Sequence, residues 1–355
     1  MFAEKHYPEI LSPEELDAYL AQGWYRMGQT IFTTHFLCFG ERFYSALWVR
    51  LPLRGYRFRK SLRKLIRRNR SKFTVRIRAA IIDREKEQLY QRYKANFPGL
   101  LAPSLRESLL DGEEFNIFRT YEIAVYRGDR LVAASFFDLG REGVASILGM
   151  YDPDFQRYSL GFFTMLMEIE YALEKGYAYY YPGYVVPGYP RFDYKLRIGE
   201  VSFFQFSDAS WVPYEQLQGD RIPLPFMEEK LRKAQQYLRE HGIETSRFYY
   251  PLFEVNLFGF WRTNFFDYPL FLHCNPYNLP NVHLVIVFDL RTETYHLYRC
   301  SPFDDIQFYF NEAYTRSFNR EKFFMELIVV ERLLKSSPQT EDILEALRLQ
   351  RTLHK

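Results

Sequence analysis

Between residues 119 and 181 the hydrophobic pattern changes from alternation to a helical period and back, and this run constrains the fold more than any other stretch. Arg119 to Tyr126 alternates as a strand, Arg127-Gly128-Asp129-Arg130 is a tight turn, and Leu131 to Asp138 returns as the second strand of a hairpin. Gly143 to Met150 reads as a third strand, broken by Tyr151-Asp152-Pro153-Asp154. Ser159 to Lys175 is a long apolar helix with Gly176 as its stop, and Tyr177 to Tyr181 is a fourth strand. Pro182-Gly183 and Pro187-Gly188 then predict an irregular segment.

The flanks read less sharply. Ser12-Pro13-Glu14-Glu15 is a helix start, with a capping serine before a proline and acids in the first turn. Residues 30–53 read as strands, most clearly 43–51, and Asp83 to Asn96 as a helix ended by Pro98-Gly99. The prolines and glycine of 212–224 suggest a linker. Met227 to His241 reads as a helix, 249–300 as several strands with Val282 to Asp289 the best, and Phe318 to Leu334 and Glu341 to Leu353 as helices. A chain of 355 residues has room for two or three domains, here expected at 1–82, 83–215 and 220–355. No run approaches the ~20 apolar residues of a membrane helix. The start, Met1-Phe2-Ala3-Glu4-Lys5-His6, lacks a leader pattern. The three cysteines, Cys38, Cys274 and Cys300, are scattered. They form neither a disulfide framework nor a metal knuckle, so a reducing cytoplasm is the expected home.

Charge is unevenly spread. Residues 54–78 hold twelve Lys or Arg and no Asp or Glu. Leu62, Leu65 and Ile66 fall on one helical face, and Arg59, Lys60, Arg63, Lys64, Arg67, Arg68 and Arg70 fill the remainder. A solvated face normally mixes signs. A block of like charge repels itself unless a polyanion neutralises it, so the helix is a candidate RNA-contacting element. Its apolar stripe is short and available to the core, which makes a membrane surface the weaker reading of its partner.

The order hairpin, strand, loop, helix, strand is the acyltransferase-like α/β layout of the GNAT superfamily. The expected fold class is therefore α/β (α+β): a GNAT-like core with a small basic amino-terminal domain and an aromatic-rich carboxy-terminal α+β extension. That layout ordinarily grips coenzyme A by backbone N–H groups at a glycine-rich helix start. Here the turn reads Gln156-Arg157-Tyr158-Ser159-Leu160-Gly161, whose side chains crowd such an approach, so coenzyme A is not expected as a partner.

Several segments resemble the arginyl-tRNA–protein transferase family, whose bacterial members are leucyltransferases acting on amino-terminal Asp or Glu. They are Gly149-Met150-Tyr151-Asp152-Pro153-Asp154-Phe155, Ser159-Leu160-Gly161, Tyr179-Tyr180-Tyr181-Pro182-Gly183-Tyr184 and Arg191-Phe192-Asp193-Tyr194-Lys195. Upstream, Gly23-Trp24-Tyr25-Arg26-Met27-Gly28 and Ser61 to Asn69 are similar to further motifs of that family, and the likeness runs over about residues 10–215. Where the family has a cysteine cluster this chain has Cys38 alone, beside His35, and its Lys-Met is Arg191-Phe192 here. A tetrahedral metal needs about four ligands, so no metal and no other cofactor is expected.

The resemblance implies transfer of an amino acid, Arg or Leu, from aminoacyl-tRNA to the amino terminus of an acceptor protein or peptide, with Asp or Glu as candidate first residues, in an N-degron pathway. An activated ester on a polyanion asks for phosphate contacts, orientation, a proton acceptor for the amine and a donor for the oxyanion. Asp152, Tyr184, Tyr194 and Lys195 are the candidate catalytic groups. Arg26, Tyr151, Asp154, Tyr180 and Arg191 are the candidates for substrate binding, with Arg26 suited to an acidic acceptor. Each also has a plain structural reading: Asp152-Pro153 is a common turn starter, and one of Tyr180 and Tyr181 must be core. The competing reading of the whole is a non-catalytic RNA- or protein-binding descendant of the same fold.

Overall fold

A computed structural model of the chain describes residues 2–258, 263–274, 281–303 and 317–353. The amino-terminal part contains β1 (Ala3–His6), α1 (Pro13–Ala21), β2 (Tyr25–Met27), β3 (Thr30–Thr34), β4 (Phe36–Phe39), β5 (Arg42–Ser45) and β6 (Leu47–Pro52). The expected capping box forms: Ser12 Oγ accepts from the Glu15 N–H and the Glu15 carboxylate accepts from the Ser12 N–H. The basic helix α2 (Lys60–Arg70), β7 (Thr74–Ala79), α3 (Arg84–Ala95) and α4 (Leu105–Leu110) follow. Then come β8 (Thr120–Arg127), β9 (Arg130–Leu139), β10 (Gly143–Tyr151), α5 (Leu160–Lys175), β11 (Tyr179–Val185), β12 (Ser202–Gln205) and β13 (Ser210–Pro213).

One sheet of eight strands, ordered β13-β12-β6-β11-β10-β9-β8-β7, carries this half. The expected domain boundary at residue 82 runs through it, because β6 and β7 pair with strands from beyond that point. Alternation along the hairpin decides what covers each face. Ile123, Val125, Ala133 and Phe137 pack with α2 and α5, whereas Ala124, Tyr126, Ala134 and Phe136 pack with α3 and α4. All pairings are antiparallel except β10 with β11, the product of the α5 crossover.

The carboxy-terminal part contains α6 (Pro223–Glu240), β14 (Ser246–Tyr249), β15 (Leu270–Cys274), β16 (His283–Asp289), β17 (Thr294–Pro302), β18 (Ile328–Ser337) and α7 (Thr340–Leu353). Its five strands form an antiparallel sheet in sequence order. Within the predicted 249–300 strand region, 259–262 and 275–280 lie outside the described residues. The helix expected over Phe318 to Leu334 is not formed. Ile328, Val329 and Val330 instead pair with Pro302, Ser301 and Cys300 of β17, and the sheet overrides an ambiguous local pattern. This part shares one core with the amino terminus, where Phe2, Phe36 and Trp48 join Met227, Phe253 and Val285. Among the described residues no helix is long and apolar enough to cross a membrane.

Candidate functional site

The site begins where β10 and β11 part. They pair only through Gly143, Val144 and Ala145 against Tyr179, Tyr180 and Tyr181. Beyond that, β10 is bulged between Ser146 and Leu148, and β11 is bulged against β6 between Tyr180 and Gly183. The cause lies in the sequence. Pro182 has no N–H to give to a ladder, and Gly183 sits at φ +91°, a conformation that favours glycine. The strand therefore runs on to Val185 through a segment expected to be irregular, but it leaves a slot beside β10. Tyr25 from β2 spans the slot's root, its hydroxyl shared between the carbonyl oxygens of Ser146 (2.5 Å) and Tyr181 (2.7 Å). Burial holds the Tyr25 phenol protonated, pushing its pKa well above the ordinary value.

The 3-10 turn Pro190–Ile198 follows β11 and folds Lys195 back against Gly183 and Tyr184, beside the slot. Lys195 Nζ donates to the Tyr184 carbonyl at 2.9 Å and lies 5.2 Å and 5.3 Å from the ring centroids of Tyr184 and Phe192. A Cβ at position 183 would stand 3.1 Å from that nitrogen, so Gly183 provides the room as well as the bend. Burial lowers the Lys195 pKa to about 7, and among the described residues no carboxylate pairs with it. Tyr194 leaves 40% of its surface exposed at the rim. Its hydroxyl and that of Tyr184 are both held protonated by burial, Tyr184 up to about 12, with the Glu254 carboxylate and Tyr194 adding to the effect. Tyr151 packs its ring 5.5 Å from Tyr93 of α3. Burial raises the Tyr93 phenol up to about 12, with the neighbouring Tyr151 and Tyr194 hydroxyls adding to the effect. Of the sequence-derived set, Lys195 and Tyr184 meet beside the bulge of β11 with Tyr194 at the rim, while Tyr151 packs on Tyr93 of α3 and Arg191 on Phe97 just beyond it.

Other members of that set are engaged elsewhere. Arg26 is buried, and every arm of its guanidinium is used: Nη1 binds Asp138 at 2.9 Å and Thr120 Oγ1 at 2.9 Å, Nη2 the Leu109 carbonyl, and Nε the Gly28 carbonyl at 2.7 Å. No arm is left to read an acceptor's carboxylate. Asp152 is also buried. Its carboxylate is held by Arg130 at 2.5 Å and Arg92 at 3.5 Å and caps the Asp154 N–H, so its observed contacts are those of a turn anchor. Asp154 is exposed beside Arg130 at 3.3 Å. Tyr180 is fully buried and donates to Glu168 at 2.7 Å. Arg191 donates to the Pro98 carbonyl at 2.8 Å and covers the Phe97 ring, with the rest of its surface exposed.

The basic helix lies against the start of α5. Buried Asn69 donates to the Tyr158 carbonyl at 2.9 Å, and Arg68 reaches the same oxygen at 3.2 Å. Leu62 and Ile66 are buried, whereas Arg59, Lys60, Arg63, Lys64, Arg67, Arg68 and Arg70 are exposed. A cavity of about 400 Å³ opens here, its charged lining made of Arg59, Lys64, Arg68 and Arg197, with Ser159 at the helix start. Ser159 is left-handed at φ +54° and its side chain does not cap the helix, so the start of α5, whose Ser159 and Phe162 line this basic hollow, has no side-chain cap. Arg70 pairs with Glu170 on the outer side of α5.

Sequence reasoning passed over Tyr25, Ser146, Glu168, Arg197 and Glu254. Tyr25 lies inside a quoted motif, and Glu168 is a charged residue within the buried run Leu160 to Ile169; both signals were present. The positions of Arg197 and Glu254 depend on tertiary packing and leave no local mark. Among the described residues no three His, Cys, Asp or Glu side chains gather as metal ligands would, and His35 is buried beside Thr33 and Phe206.

Residues 85–205 match the family described as arginine-tRNA-protein transferase, C terminus. An aspartate/glutamate leucyltransferase of Leptospira interrogans is 29% identical over 194 residues, covering 53% of this chain and 74% of that protein. One from Campylobacter jejuni is 28% identical over 224 residues, 61% of this chain and 86% of that protein. Among solved structures, the C-terminal domain of a putative lysylphosphatidylglycerol synthetase from Agrobacterium fabrum is 14% identical, with a TM-score of 0.37 over 47% of this chain and 58% of that one.

Proposed function

We propose that this chain, an arginyl-tRNA–protein transferase-like protein through residues 85–205, moves an aminoacyl group from charged tRNA to the amino terminus of an acceptor protein. The observation that carries the reading is the juxtaposition of the slot beside Lys195 with a basic hollow at the start of α5. The hollow suits the phosphates of the tRNA acceptor end, and the slot suits its ester. In the reaction the acceptor's amine forms a C–N bond with the ester carbonyl, and the C–O bond to ribose breaks. An amine attacking an activated ester needs no covalent enzyme intermediate. Lys195 is placed to donate to the oxygen that becomes negative, and an arriving anion restores the charge that burial disfavours. Tyr194, kept protonated, is a second donor at the rim. With Arg26 committed to Asp138, the exposed Arg191 is the cation we assign to an acidic first residue, in keeping with relatives named for aspartate and glutamate. The reading places the protein in the cytoplasm, in an N-degron pathway.

The test is a panel of charged tRNAs against peptides beginning with Asp, Glu and neutral residues, scored by mass. A gain of one amino-acid residue on the peptide is expected, and no gain with any charged tRNA leaves a binding protein in place of the enzyme. Lys195→Met should lower single-turnover transfer by about 10²-fold, the scale of one lost oxyanion donor, with tRNA affinity unchanged. Equal rates in parent and variant would remove Lys195 from the mechanism.

A further inference from the structure

The carboxyl group of Glu168 is fully buried on α5, yet among the described residues no charge pairs with it. One oxygen accepts from Tyr180 Oη at 2.7 Å. The other, Oε1, is sealed from solvent without a hydrogen bond of good geometry, and so is Ser135 Oγ on β9. Ser135 and Ser146 nonetheless lie close enough to favour the ionised form. The Ser146 hydroxyl acts on both Glu168 and Tyr180. Ser146 is the half-exposed member of this group, and it stands at the bulge where β10 leaves β11, its carbonyl held by Tyr25.

A purely structural partner for the Tyr180 hydroxyl would not need to be an acid. A glutamine has the same length, accepts the same hydrogen bond and avoids the cost of burying an ionisable group. The acid sits instead behind Ser146, the residue at the bulge where β10 leaves β11. We propose that Glu168 receives the proton of the acceptor's α-ammonium group through the Ser146 hydroxyl, with Tyr180 holding the carboxylate in place. The inference rests on the transferase reading. The ammonium gives a proton to Ser146 Oγ as the Ser146 proton passes to Glu168. The freed lone pair forms the C–N bond, and the carbonyl electrons move to oxygen and return to expel the ribose oxygen. That oxygen takes the second proton from the nitrogen, leaving an amide and a ribose hydroxyl, and Glu168 later returns its proton to solvent. Glu168 is a positioning residue in this scheme, since it acts through Ser146.

The groups facing Glu168 are Ser135 from β9, Ser146 from β10 and Tyr180 from β11. The phenols of Tyr25 from β2 and Tyr194 from the 190–198 turn also respond to its charge. The cation that α2 brings to α5, Arg70, goes to Glu170 instead. Burial pushes the Glu168 carboxyl up to about 7, so it loses its proton, and becomes an acceptor, as pH rises through neutrality.

The test is single-turnover transfer from charged tRNA to a peptide across neutral pH, with unfolding and tRNA affinity measured alongside. The parent's rate should rise through about 7. Glu168→Gln should lower the neutral rate by about 10- to 100-fold and move the rising limb to the acceptor amine's own value near ~8, at unchanged tRNA affinity. Ser146→Ala, which leaves the buried acid in place, should shift the limb in the same direction and serves where the glutamine variant fails to fold. Limbs in both variants that coincide with the parent's would overturn the relay alone. A parent that transfers nothing would overturn the transferase reading and the relay with it.

Discussion

Arg26→Ala is expected to cost about 3–5 kcal/mol of stability, the scale of breaking a buried ion pair from one side. The side chains of Arg26 and Asp138 are 1% and 0% exposed. Arg26 joins β2 to Asp138 on β9, Thr120 on β8 and the Leu109 carbonyl on α4, while its guanidinium covers the Phe118 ring 4.3 Å away. Alanine leaves the Asp138 carboxylate with the hydrogen bond from Thr120 but without its paired charge in the core. Arg26→Lys cannot restore several divergent hydrogen bonds from one ammonium group. The double change Arg26→Met with Asp138→Leu should recover much of the loss, since it removes both buried charges. Urea unfolding measures all three. A single variant as stable as the parent, yet unable to use acidic acceptors, would return Arg26 to the recognition role its motif first suggested.

Removing Arg59, Lys64, Arg68 and Arg197 together should weaken charged-tRNA binding by about 10³-fold at low salt. The plot of log affinity against log salt should become shallower by about 3, because each phosphate contact contributes a slope near −0.7 to −0.9. The effect belongs to place as well as charge. These four line one hollow at the start of α5, where uncapped N–H groups add to the positive field. Removing Arg232, Lys233 and Arg239, exposed on α6, should change binding little. Equal losses from the two sets would mean a diffuse attraction, and an unchanged salt slope would take RNA away from α2.

What was legible in the sequence follows from which signals are local. The hairpin, β10 and α5 were readable because alternation, the Arg127-Gly128-Asp129-Arg130 turn and Gly176 all act within a few residues. The slot was half-readable. Pro182 and Gly183 announce a break, but only the pairing with β6 turns that break into a bulged strand instead of a loop. Arg26 and Asp152 each carried two readings for one reason: a guanidinium or carboxylate in a motif looks the same whether its partner is a substrate or the far side of the core. For Arg26 the partner lies 112 residues away, and for Asp152 the salt-bridging arginines sit on β9 and α3. The helix expected over Phe318 to Leu334 failed because Ile328-Val329-Val330 is settled by β17 and not by its own period. Glu168 could have been found, since an acid inside a continuous apolar helix either breaks the core or serves a purpose there.

In the proposed complex the donor's aminoacyl end enters the slot between β10 and β11 while the basic hollow holds the adjoining phosphates. Charged tRNA whose 3′-terminal adenosine carries a photoreactive azido group, irradiated with the protein and mapped by peptide mass, locates that end. Adducts on residues 146–151 and 182–197 are expected, lost on competition with unmodified charged tRNA. Adducts confined to the carboxy-terminal sheet, or spread evenly over exposed cationic residues, would contradict the account.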